Sequence, residues 1–361
     1  MSKEKKWQFD LNEYIKQGEP QQAEKSEAWQ IAIGLQQVDG LETSDYLLNT
    51  AKEHIEGKIN IKEVQARLDD YYEADAQRQQ IEDGTAEADI VSSRITELLG
   101  EHTFQFSPAE FLSIHKRLFT GVFKHAGEIR TYNISKKEWV LNGDSVIYAP
   151  WSSIRETLDY DFQMEKNFSY ENLSLRESIR HLATFTSGIW QIHPFCEGNT
   201  RATAVFIIKY MKTFGFVIDN EAFSNHSWYF RNALVRANYN NLQKGIHATN
   251  QYLEAFFENL LLGSHHALKN RYLHIDAAQL SQSVNHETPK VQNDTLKCTL
   301  EELTLLKLIA KNPTITQKML QAKTGKSLST IKRTMSVLQE KGFIQRTNGK
   351  RYGKWEILIE L

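Results

Sequence analysis

A mainly α-helical fold built from successive modules is what this chain predicts, and three observations carry the prediction. Apolar residues recur at helical spacing along most of the 361 residues. Gly-containing pairs such as Asp39-Gly40, Asn142-Gly143 and Asn348-Gly349 punctuate the periodic runs. A polar stretch from Gln279 to Thr295, with Ser, Asn, Gln and a Pro and little apolar periodicity, sets off a C-terminal module. The boundaries that follow are a helical region at 1–85, a central domain at 86–275, a linker at 276–297 and a C-terminal domain at 298–361.

In the first region, Trp29 to Gly40 places Ile31, Ile33, Leu35 and Val38 at helical spacing and stops at Asp39-Gly40. Leu47 to Ile55 and Ile61 to Tyr72 predict two more helices on either side of Glu56-Gly57-Lys58. From the residues alone this is a small helical bundle.

The central domain carries the string His193-Pro-Phe-Cys-Glu-Gly-Asn-Thr-Arg201, just before the apolar run Ala202 to Phe214. An imidazole takes a proton near neutral pH, so His193 suits the activation of a hydroxyl. Glu197 can hold a divalent cation through oxygen, and Gly198 lets backbone approach an anion closely. The helix that follows presents its first amides at Asn199, Thr200 and Arg201, where phosphate binds readily. Arg201 adds a forked, permanent cation. Singly, each residue is an ordinary loop, core or cap residue; nine in order point to phosphate chemistry.

Between the two, Trp139 to Asn142-Gly143 and Ser145 to Ala149 form short β-rich runs around an Asn-Gly turn, which predicts a hairpin.

Beyond the linker, helices are expected at Leu300 to Ala310, Thr316 to Thr324 and Ser327 to Lys341, with strands at Phe343 to Arg346 and Trp355 to Ile359. Three helices and a hairpin make a winged helix-turn-helix. From Lys311 to Leu361 eight Lys and three Arg face three Glu, a balance of plus eight in a chain whose net charge is minus two. Such confinement of positive charge suits either nucleic-acid phosphate or a docking surface for a protein. For duplex DNA the candidates are Ser329, Thr330, Lys332 and Arg333, early on the second helix of the pair, and Lys350 and Arg351 on the wing.

Two cysteines, Cys196 and Cys298, offer neither a disulfide framework nor a zinc spacing. The N-terminus lacks an apolar leader and no run is long enough for a bilayer, so a cytoplasmic setting without membrane attachment is expected. Whether the chain forms a homo-oligomer is left open.

The string from His193 to Arg201 closely resembles the signature of the Fic (Fic/Doc, or Fido) family, His-Pro-Phe, any residue, Asp or Glu, Gly-Asn-Gly-Arg, two residues, Arg. Ile114 to Phe119, Ala126-Gly-Glu-Ile-Arg130, Tyr229 to Leu234 and Tyr252 to Leu261 resemble the family's flanking helices and turn, so the likeness covers about Asp89 to Gly263. It implies a Fic-type helical core with a β-hairpin flap, and transfer of AMP from ATP to a Ser, Thr or Tyr hydroxyl of a target protein or of the chain itself. His193 would be the base, Glu197 the Mg²⁺ holder, and Gly198, Asn199, Thr200 and Arg201 the phosphate cradle, with Arg201 stabilising developing charge. Val146, Ile147 and Tyr148 would capture the target by strand pairing, and Tyr239 and Asn240 fall where the base would lie. The expected picture has the imidazole facing the innermost phosphorus of a cradled triphosphate.

Two positions depart from the signature: its second Gly is Thr200 and its second Arg is Ala204. The N-terminal region resembles the small antitoxin of some Fic toxins, which sets a carboxylate against that second Arg; the aligned residues are Leu35, Asp39 and Gly40. The resemblance makes Asp39 and Gly40 the inhibitory pair, with Asp39 either reaching Arg201 or blocking the nucleotide differently, or with its helix merely covering the cleft. Ser93 with Glu97 matches the spacing without the Gly and reads as ordinary helix. Two alternatives stand beside the AMP transferase: a transferase using another nucleotide donor, and a DNA-binding regulator whose altered Fic domain only senses a nucleotide.

Overall fold

The computed structural model describes residues 6–76, 83–214, 218, 220–277, 297–347 and 353–359. The segment 279–295, the wing tip at Asn348-Gly349, and Lys350 and Arg351 lie outside the described residues. Fourteen α-helices are found among those described: α1 Lys6–Gln17, α2 Pro20–Gln36, α3 Asp45–Ile55, α4 Ile61–Ala76, α5 Asp83–Gly100, α6 Pro108–Phe119 and α7 Ile154–Asn167, followed by α8 Leu175–Ile192, α9 Asn199–Thr213, α10 Asn220–Ala237, α11 Gln251–Leu262, α12 Leu300–Lys311, α13 Gln317–Thr324 and α14 Leu328–Glu340. The fold is mainly α, as expected.

Helix starts follow local chemistry. Ser44, Ser107, Ser174, Thr299, Thr316 and Ser327 each accept a hydrogen bond from the amide three residues on. Ser174 with Glu177 and Thr299 with Glu302 complete capping boxes. These caps fix α8, which ends at His193, and α12, which begins the C-terminal module.

Helix α9 is buried along its length from Asn199 to Met211, apolar and polar side chains alike. A helix buried on all sides is a core strut rather than an amphipathic face. Phe206 on α9 meets Phe111 on α6 at 5.4 Å and Phe162 on α7 at 5.3 Å between ring centroids. Each such ring removed from water contributes roughly 2–3 kcal/mol.

Helix α2 belongs to two cores. Ala28, Ile31, Ala32 and Leu35 join the main cluster around α9, whereas Trp29 and Ile33 pack with Leu47, Ala51, Ile55, Val64 and Leu68 of α3 and α4. Gly34 lets α2 approach α10: a Cβ there would sit 2.4 Å from Ser224 Cα. The N-terminal helices are therefore bound into the same body as α9, which brings Asp39 to the site.

The C-terminal module has the expected form. Strands β1 Ile344–Thr347 and β2 Lys354–Ile357 pair antiparallel with Ile344 opposite Ile357. It is fastened to the central helices by the Leu175 amide on Cys298 O (2.7 Å) and by Lys307 Nζ on Leu261 O (2.5 Å).

The flap corrects one expectation. Among the described residues β1 and β2 form the only sheet, and 139–149 is not a paired hairpin. Trp139–Leu141 form a 3₁₀ turn, Asn142 and Gly143 take positive φ at 56° and 87°, and the chain then runs extended. Val140 and Leu141 are both buried although adjacent, which strand alternation forbids and a tight helical turn allows. The Asn-Gly reversal itself lies where the sequence places it.

Candidate active site

Pro194 disfavours the right-handed helical region for the residue before it, and α8 stops at His193, with φ 50° and ψ 60°. Arg130 holds that left-handed corner. Its guanidinium donates to four carbonyl oxygens, those of His193 (2.8 Å), Tyr132 (2.6 Å), Ala149 (2.5 Å) and Ile192 (3.3 Å). Its amide donates to Pro194 O. One buried cation thereby ties the His193 backbone to the extended segment after the Asn142-Gly143 turn.

The imidazole is 2% exposed, with the Tyr148 ring at 4.2 Å and the Trp190 ring at 5.1 Å between centroids. It lies packed beneath Tyr148 rather than facing an open cleft, which corrects the expectation of an uncovered base. The cause is the alternation at 146–148, where Val146 and Tyr148 turn inward and Ile147 stands 84% exposed. Nδ1 lies 3.1 Å from Trp190 O, so it carries the hydrogen and donates, leaving the lone pair on Nε2. Nε2 is buried and has no partner. Burial above all, then the charges of Lys136, Arg130 and Arg231, pushes the imidazole far below its ordinary range, so it stays neutral.

The loop from 195 to 199 is closed by Asn199, whose side chain accepts from Phe195 N (3.0 Å) and donates to Phe195 O (2.8 Å). Asn199 thus shapes the loop. Gly198, φ 71°, has a second reason to lack a side chain: a Cβ would fall 2.5 Å from the Phe119 ring. The Glu197 carbonyl accepts from His115 Nε2 (2.9 Å), whose Nδ1 accepts from the Gly127 amide (2.9 Å). Burial lowers His115 to about 4 and keeps it neutral with its hydrogen on Nε2. The Glu197 side chain is exposed.

Arg201, 1% exposed, is engaged from the N-terminal side. Asp39 Oδ2 lies 2.8 Å from Nε as an ion pair without hydrogen-bond alignment, Glu87 Oε1 accepts from Nη2 at 2.6 Å, and Gln36 Oε1 accepts from Nη1 at 3.0 Å. The Phe119 ring lies 4.8 Å from the guanidinium carbon. Of the alternatives for Asp39, the contact with Arg201 is observed. Gly40 takes φ 72° and ends the 3₁₀ turn Gln37–Asp39 that aims Asp39.

Other expected residues lie as follows. Thr200 Oγ1 accepts from Trp190 Nε1 at 3.0 Å, so its hydroxyl braces α8. Ala204 is fully buried. Tyr239 donates to Asp144 Oδ2 (2.6 Å) and Asn240 Oδ1 accepts from the Ala248 amide (2.8 Å). In the C-terminal module Ser329, Lys332 and Arg333 are exposed and Thr330 half-buried on the first turns of α14.

Arg130 entered the sequence reading only as part of a turn, and His115, Glu87, Gln36 and Lys136 not at all as site residues. No local pattern marks a helical Glu 114 positions from its arginine.

Residues 105–211 match the Fic/DOC family, and residues 302–345 match a winged helix-turn-helix DNA-binding family. The chain therefore carries a Fic/DOC domain with a winged helix-turn-helix after it. No curated protein matches. Among solved structures, the N-terminal Fic domain of the VirB-translocated effector Bep8 from Bartonella sp. 1-1C is similar at 20% identity and TM-score 0.39, covering 50% of this chain and 85% of that one. The N-terminal Fic domain of an effector from Bartonella sp. AR 15-3 is similar at 22% identity and TM-score 0.38, covering 47% and 78%.

Proposed function

We propose that this chain transfers AMP from ATP to a protein hydroxyl, and that its N-terminal region restrains the reaction by occupying Arg201. The observation that carries the reading is the pairing of an unpartnered, neutral Nε2 with an arginine engaged by residues of α2, its 3₁₀ extension and α5.

The chemistry uses few parts. With Tyr148 displaced, Nε2 accepts the proton of a Ser, Thr or Tyr hydroxyl as that oxygen attacks the α-phosphorus. The bond from phosphorus to the pyrophosphate oxygen breaks, and the proton ends on His193. The first amides of α9 and the Arg201 fork, once free, meet the charge that develops. The exposed Glu197 carboxylate, on the loop leading into α9, would hold Mg²⁺ through oxygen. When bound, the ion neutralises phosphate charge.

Labelled ATP with Mg²⁺ tests the reading. Asp39→Ala/Glu87→Ala should label itself or a lysate protein more than wild type, and His193→Ala in that background should label nothing. Absence of label from every nucleoside triphosphate, with tight nucleotide binding, would instead support a sensor. That second reading is favoured by one observation: Thr200 and Asn199 direct their side chains to protein groups.

A further inference from the structure

Three cations act on the His193 imidazole, and they differ in what holds them. Arg130 is engaged by four carbonyls. Arg231 is bidentate on Glu138, at 2.6 and 3.1 Å. Lys136 is different: its ammonium makes no hydrogen bond or ion pair among the described residues, although the side chain is half-buried.

The carboxylates near it are turned elsewhere. Asp39, Glu138 and Glu197 all act on Lys136 through space. Asp39 is on Arg201, Glu138 is on Arg231, and Glu197 is exposed. The backbone carrying Lys136 is fastened on both sides. The Trp151 amide donates to Asn133 Oδ1 (2.9 Å), the Lys136 amide to Ser145 Oγ (3.1 Å), and the Glu138 amide to Asp144 O (3.0 Å). The segment that carries Lys136 is thus braced, and its ammonium has no counterion in contact among the described residues.

We infer that Lys136 is a donor-binding residue, whose ammonium contacts a phosphate of the nucleoside triphosphate beside His193. The inference rests on the transfer reading above. Two groups without protein partners lie on segments that converge here, since the Lys136 amide is bonded to Ser145 and Tyr148, three residues on, covers His193: a buried lone pair on Nε2, which takes a hydroxyl proton, and an ammonium with three N–H donors, which takes an anion. An uncompensated ammonium held partly out of water has its charged form disfavoured, and Lys136 is shifted down by burial and by Arg231. A phosphate oxygen removes that penalty on binding. The contact adds a cation to a site whose α9 arginine is already engaged by two carboxylates.

Titration of the full-length Asp39→Ala/Glu87→Ala protein with Mg²⁺-ATP, with and without a change at Lys136, tests it. Lys136→Met should raise the Kd about tenfold or more, the effect of one charge-assisted hydrogen bond. Lys136→Arg should stay within about threefold, because it keeps a cation there. The melting temperature should hold in both, since Lys136 pairs with no protein group. An unchanged Kd in Lys136→Met overturns the inference, as does an equal loss in Met and Arg variants with a fall in melting temperature, which would mark a structural role. If the double variant itself neither binds nor transfers any nucleotide, the transfer reading fails and takes this inference with it. Binding and labelling that are indifferent to Lys136 leave that reading standing and remove the lysine alone.

Discussion

Glu87 and Arg201 lie 2.6 Å apart across 114 residues of sequence, and Asp39 reaches the same guanidinium from another element at 2.8 Å. Two carboxylates on one buried arginine hold the N-terminal helices against the start of α9. Opening the site for an anion therefore means exchanging one anionic partner for another. Glu87→Ala is expected to raise labelling about tenfold, since a charge-assisted bond is worth about 1.5–3 kcal/mol, and to lower the melting temperature. The double change with Asp39→Ala should exceed either single one. Lower stability with unchanged labelling would show the contacts to be structural only.

On the proposed reading Arg130 is a positioning residue, since it holds His193 through backbone carbonyls. Arg130→Lys keeps the charge and loses the fork, so the expected signature is a large fall in kcat with little change in KM for ATP. Loss of two or more of these bonds should also cost about 3 kcal/mol of stability. A rise in KM with kcat intact would place Arg130 in nucleotide binding instead.

Much of this site was legible in the sequence because its central string is contiguous. His193, Glu197, Gly198 and Arg201 sit on one turn and one helix start, where spacing alone fixes neighbourhood. Asp39 was reached through the likeness of its segment to the antitoxin of some Fic toxins, while the Asp39-Gly40 pair by itself marked only a helix stop. Glu87 was not: it is one of many helical glutamates, and its role comes from α5 lying beside α2. The flap misled for a related reason. Asn142-Gly143 does reverse the chain, yet pairing needs partners of alternating burial, and Val140 and Leu141 are buried together. The burial of His193 follows from the inward turn of Tyr148, a tertiary fact with no trace in the motif.

Gly198→Ala combines two costs. A side chain at φ 71° costs about 1–2 kcal/mol, and a Cβ 2.5 Å from the Phe119 ring forces that ring or the loop to move. The expected loss is about 3 kcal/mol, with part returned by Phe119→Leu, which makes room. Because Phe119 also lies against Arg201, labelling should fall in both variants. A fully stable Gly198→Ala protein would show the loop to be adaptable.

Acid should weaken the fold in a window set by histidines. Burial lowers His54 and His115 from 6.5 to about 4, and His193 further. Between 6.5 and 4 the unfolded chain binds the protons that the folded chain refuses, so stability is full above 6.5 and falls as pH drops toward 4. Each of the first two contributes roughly 3 kcal/mol across the window. Asp89 and Asp161, pushed upward by burial, act in the opposite sense. Melting temperatures from pH 7 to 4.5 should therefore decline, and His54→Gln should flatten the decline. A flat wild-type profile would contradict the burial of these rings as neutral groups.

The winged helix makes its own prediction. Lys332 and Arg333 stand exposed on the first turns of α14, while Ile331, Thr334 and Met335 face inward, so the two cations can be changed without touching the core. Each Lys or Arg that neutralises a DNA phosphate releases counterions. Binding that uses about four such contacts should weaken on the order of 100-fold between 50 and 200 mM salt. Lys332→Glu/Arg333→Glu should then reduce duplex binding, lessen the salt slope, and leave the melting temperature unchanged. Neither Lys332 nor Arg333 makes an ion pair among the described residues, so nothing in the fold depends on their charge. Binding that ignores both salt and charge reversal would assign this face to a protein partner, and the Fic domain would then be brought to its target by the module that follows it.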